Sequence, residues 1–82
     1  MIKVLFFAQL REQLQCAELS VAENDAQTIT QLREYLIMLH PLWAEFLNNE
    51  KLLMAVNQTI VKFSQGLQMG DEVAFFPPVT GG

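Results

Sequence analysis

Between Thr28 and Leu39 the chain carries its one sustained helical period, set among runs with strand character. Ile29, Leu32, Leu36 and Leu39 recur at helical spacing, with Gln31, Arg33 and Glu34 largely opposite and Tyr35 and Met38 widening the apolar stripe. Thr28 followed three residues on by Gln31 forms a capping box, and His40 before Pro41 ends the period. A single amphipathic helix covers one face of a small sheet, so the flanking segments must supply that sheet.

They read as follows. Residues 2–8 are β-branched and aromatic, a first strand. Gln9 to Gln15 has the composition of one or two helical turns, with Leu10 and Leu14 four apart. Ala17 to Val21 alternates as a second strand, and Glu23 to Gln27 is a polar loop. Pro41 opens another short helical turn through Leu47, in which Trp43 and Phe46 serve as core or lid residues. Leu52–Val56 is a third strand, Asn57-Gln58 a two-residue hairpin connection, and Thr59–Lys62 a fourth strand. Gln58 suits a positive-φ site poorly, which leaves the turn type open. Ser64 to Gly70 is a loop with Gly70 at a left-handed position, and Glu72–Phe76 is the last strand. The expected fold is α+β: a β-grasp (ubiquitin-like) roll, a mixed sheet of about five strands with first and last in the centre and the helix on one face.

The end of the chain is built differently. After Phe75 and Phe76 come Pro77-Pro78-Val79-Thr80-Gly81-Gly82. Proline lacks the N–H that a ladder needs, and consecutive prolines favour a stiff extended segment. Two glycines make the thinnest and most deformable tail available to a polypeptide. The sequence therefore divides into a β-grasp body over residues 1–76 and an extended tail over 77–82 that can enter a channel in a partner.

Composition narrows the function classes. At 82 residues there is room for one core. Apolar residues make up 51% of the chain and charged ones 17%, which predicts apolar surface left for a partner. A net charge of −4 without a Lys/Arg cluster argues against nucleic acid. With one cysteine, Cys16, and one histidine, His40, neither a disulfide, a multi-cysteine metal site nor a histidine-based triad is expected. The opening Met1–Phe7 is too short for a signal peptide and no run has transmembrane length, so a soluble cytoplasmic protein without membrane contact is expected.

The segments MIKVLFFAQLRE, LLMAVNQTIV, GDEVAFFPP and the terminal TGG together resemble the small subunits of molybdopterin synthase, a family of ubiquitin-like sulfur carriers. The resemblance covers most of the chain and is weakest over residues 13–50. It implies a non-catalytic carrier subunit of a heterotetrameric sulfurtransferase, with no cofactor bound by this chain itself. An E1-like adenylating enzyme, using ATP and magnesium, would activate the Gly82 carboxylate. A sulfur donor would convert it to a thiocarboxylate, which would deliver sulfur to cyclic pyranopterin monophosphate inside the large synthase subunit. Gly82 is then the reactive residue, Gly81 its flexible neighbour, and Pro77, Pro78, Val79 and Thr80 the inserted tail. Alternatives are a sulfur carrier for thiamine thiazole synthesis and a ubiquitin-like modifier or interaction module.

Strand alternation assigns the partner face. With Ile2, Val4, Phe6, Met54, Val56, Val61, Val73 and Phe75 under the helix, Leu5, Phe7, Leu53, Ala55, Ile60 and Phe76 should lie exposed on the opposite face. The family resemblance places partner contacts there, at Leu5, Phe7, Ile60 and Phe76, with Arg11 as a polar edge contact.

Overall fold

The computed structural model describes residues 1–78. Its elements are β1 (Ile2–Phe6), α1 (Ala8–Leu14), β2 (Glu18–Val21), α2 (Ile29–Leu39), α3 (Ala44–Leu47), β3 (Leu53–Val56), β4 (Thr59–Ile60) and β5 (Glu72–Phe76). Single 3-10 turns lie at Glu23–Asp25 and Pro41–Trp43. The strands make one sheet in the order β2-β1-β5-β3-β4. β1 and β5 run parallel in its centre, and every other neighbouring pair is antiparallel. Parallel neighbours require a long crossover; here it includes α2, laid across one face. This is the β-grasp roll.

The helix-facing side is as alternation predicts. Ile2, Val4, Val73 and Phe75 are fully buried, and Phe6, Met54 and Val56 are nearly so. Ile29, Leu32 and Leu36 of α2 close the core from above, each fully buried. Register fixes the layer, since Val4 sits opposite Val73 and Phe6 opposite Phe75 on β5. The Phe6 and Phe75 rings stack at 6.0 Å, and half-buried Trp43 meets Phe6 edge-on at 5.5 Å. Trp43 and Phe46 thus pack as lid residues at the edge of the core.

The helix ends follow their local chemistry. Thr28 Oγ1 accepts the Gln31 N–H at 3.1 Å, whereas the Gln31 side chain accepts the N–H of Gln27 rather than of Thr28, at 2.9 Å. The capping box is present but displaced by one residue on its return side. α2 stops at His40, which leaves helical geometry at φ −132° and ψ 79° just before Pro41. α1 ends with Gln15 at φ 53°, where the Cys16 N–H reaches Arg11 O and the Gln15 N–H reaches Glu12 O, the Schellman pattern with glutamine where glycine is usual.

Two expectations need correction. β4 comprises Thr59 and Ile60 only, not Thr59–Lys62, although the Val61 N–H still reaches Met54 O at 3.1 Å and Val61 is half-buried. Ala55 is buried at 6% exposure rather than open. It lies on the open face between Ala74 and Ile60 in the cross-strand row. The β3–β4 turn is settled: Asn57 and Gln58 both have positive φ, at 50° and 71°, as a type I′ turn demands. The Asn57 side chain holds this turn to the start of β5, donating to Asp71 Oδ1 and accepting the Glu72 N–H, both at 3.0 Å.

Candidate functional site

On the sheet face away from α2, register brings together residues that are far apart in the chain. One row across the strands runs Glu18, Leu5, Ala74, Ala55, Ile60. In the next, Leu53 lies opposite Phe76. The two alanines keep the middle of the face low, with Leu5, Leu53 and Phe76 half-buried around them. Ile60 is 61% exposed at one side, and Phe7 is 45% exposed just past β1. Charge on this face is carried by Lys3, Glu18 and Glu72, at the starts of β1 and β5 and on the edge strand β2. Lys3 and Glu18 pair at 3.5 Å. Leu5, Leu53, Phe76 and Ile60 make the half of the face nearest the end of β5 mainly apolar, with Lys62 just past β4 at its margin.

β5 delivers the chain end to that half. The Phe7 N–H donates to Phe75 O at 3.1 Å, holding the last turn of the sheet closed just before the prolines. Pro77 and Pro78 follow outside the strand and are half-buried. Val79, Thr80, Gly81 and Gly82 lie outside the described residues. Arg11 is exposed on α1, a helix that contacts β5. The structure thus gathers Leu5, Ile60 and Phe76 on one face with Phe7 at its rim, and the sequence had passed over Ala74 as the second small residue of its floor. The alternation of β5 with Val73 and Phe75 inward was the signal that could have found it; its pairing with Ala55 depended on the register between β3 and β5.

Among the described residues, no three His, Cys, Asp or Glu side chains converge to hold a metal. The carboxyl of Glu23 is held below the usual carboxylate range, chiefly by its hydrogen bond to the Met1 amino group at 2.9 Å. Met1 precedes β1 and Glu23 follows β2, at the sheet end remote from Phe76. No helix among the described residues is long and apolar enough to cross a membrane.

Comparison with known proteins matches residues 4–82, nearly the full chain, to the ThiS family. The chain belongs to that family. Within it, the chain is 54% identical to the molybdopterin synthase sulfur carrier subunit of Escherichia coli and 45% identical to that of Haemophilus influenzae. Both alignments cover 100% of this chain and of the relative. A chain from the complex of subunits 1 and 2 of the molybdopterin-converting factor of Helicobacter pylori superposes with a TM-score of 0.69. That likeness covers 99% of this chain and 97% of the other at 23% identity, and it speaks for the fold. The ThiS-family match includes the Gly81-Gly82 terminus, beyond the last described residue.

Proposed function

We propose that this chain is the sulfur carrier subunit of a molybdopterin synthase and works in the cytoplasm. The observation that carries the reading is full-length similarity to two relatives of that name, in a chain that ends in Pro-Pro-Val-Thr-Gly-Gly and whose Pro77 and Pro78 follow β5 beside the apolar side of the open sheet face.

The chemistry begins with a weak electrophile. The Gly82 carboxylate would have to expel oxide, so an E1-like partner first transfers AMP to it from ATP with magnesium, releasing pyrophosphate. Sulfur from a donor attacks the acyl-adenylate carbonyl and AMP departs, leaving a thiocarboxylate. Its sulfur is ionised near neutral pH and is a better nucleophile than the oxygen it replaced. Inside the large synthase subunit it attacks a side-chain carbon of the cyclic pyranopterin monophosphate and displaces an oxygen substituent. Water then cleaves the acyl carbon–sulfur bond, returning the carboxylate and leaving the sulfur on the pterin; two such deliveries build the dithiolene. Glycine at 81 and 82 leaves the carbonyl open to attack and the backbone free to follow a channel. The domain's share is to bind: Leu5, Ile60 and Phe76, with Phe7 at the rim and Arg11 at the edge, present an apolar surface that both the activating enzyme and the large subunit can cover.

The test is deletion of Gly82 in a reconstituted synthase. Sulfur transfer should be abolished while thermal unfolding of the domain stays unchanged; full activity of the truncated chain would end the proposal. A carrier serving thiamine thiazole synthesis would use the same tail, and co-purification with a thiazole synthase instead of a pterin-binding subunit would identify it.

A further inference from the structure

On the opposite side of the sheet a groove of about 420 Å³ opens between the end of α1 and the Pro41–Leu47 segment. Leu14, Trp43 and Phe46 supply its apolar lining, and Leu42 stands at its edge. Leu42 is 87% exposed, more than any other large apolar side chain among the described residues. Leu39, at the end of α2, is half exposed beside this segment. Apolar side chains left in water at adjacent turns form a ridge that the domain's own core does not use.

The groove also has a sign. Glu45 is the one charged residue in its lining. α2 ends against the same segment with no lysine or arginine in its last turn, and its C-cap His40 stacks on Trp43 at 4.0 Å without lining the groove itself. A second copy of this chain brings the same groove lining, with no lysine or arginine in it, and so supplies no opposite charge from that surface. A cationic occupant complements the one charge in the lining.

We propose that this groove docks a basic amphipathic segment of a partner protein. One bulky apolar side chain sits against Leu42, Trp43 and Phe46, with lysine or arginine beside Glu45. The volume falls within the range of about 300–1,000 Å³ typical of ligand pockets, and the Leu39–Leu42 ridge provides a second contact one turn along a bound helix. Trp43 packs against Phe6, whose side chain points into the core, away from Leu5 and Phe76. A partner held here leaves the apolar sheet face and the tail base free, so the domain can remain tethered while its end is engaged elsewhere.

The test titrates the full chain with two synthetic helical peptides of identical Leu/Phe face, one bearing Lys and Arg on its polar face and the other Glu. Trp43, the chain's single tryptophan, reports binding by fluorescence, and amide chemical shifts map it. The basic peptide should shift residues 13–15 and 39–46. Glu45→Lys should weaken it about fivefold at low salt, with the difference fading as salt rises. Leu42→Ser should weaken it about tenfold, and Ile60→Asp should leave it unchanged. Equal binding of the acidic peptide, shifts centred on the open sheet face, absence of binding, or Leu42-dependent self-association in sedimentation would each overturn the proposal. Because no readout involves sulfur transfer, this outcome is independent of the carrier function.

Discussion

Replacing Ile60 by aspartate tests whether the open sheet face is a binding surface. Ile60 is 61% exposed in the free domain and lies opposite Ala55 on the two-residue strand β4. Full burial of an isoleucine is worth about 1.5–3 kcal/mol, so covering the exposed part by a partner contributes roughly 1–2 kcal/mol. Ile60→Ala should forfeit most of that, weakening the complex with the large synthase subunit about tenfold. Ile60→Asp adds an unpaired carboxylate to a dehydrated surface, which carries a further cost of about 1–3 kcal/mol and brings the loss to roughly a hundredfold or more. The fold itself should lose only about 1 kcal/mol, because little of this side chain is buried and strand propensities span that range. Isothermal titration calorimetry against the large subunit, with circular-dichroism melting of each variant, separates the two effects. A dissociation constant within about threefold of wild type for a natively melting Ile60→Asp domain would refute the reasoning.

Two further outcomes concern the domain alone. Gln58→Gly should stabilise it by about 1 kcal/mol in chemical denaturation, because Gln58 adopts φ 71° in a turn that favours Asn-Gly; an unchanged or lowered midpoint would show the turn to be unstrained. Glu23, whose folded pKa lies below its ordinary 4.5, contributes stability that is present above that value and is lost as pH falls through the folded pKa. The stability gap between wild type and Glu23→Gln should therefore be open at neutral pH and narrow below 4.5, and should shrink with salt because the pair is exposed; a gap that widens in acid would contradict the sign.

Most of the architecture was already written in short-range patterns. The stripe Ile29–Leu32–Leu36, the Thr28 cap, the His40-Pro41 stop and the alternation of Val4, Phe6, Val73 and Phe75 each depend on residues a few positions apart, and each appears in the structure as the spacing required. The terminus was read from the backbone chemistry of proline and glycine alone, and its last four residues lie outside the described residues. Only the tertiary structure decided how distant pieces meet. That Ala55 is buried on an otherwise open face depends on Ala74 and Ile60 being its cross-strand neighbours, and the register between strands is set by the whole sheet. That Gln15 and Gln58 occupy left-handed positions usually left to glycine reflects ladder and capping bonds overriding local preference. That α1 and the Pro41–Leu47 segment leave a groove beside Trp43 is a matter of how two short helices pack at one end of the sheet. Periodicity determines which side of a segment is buried, whereas the surface a partner meets is composed of neighbours that only folding brings into contact.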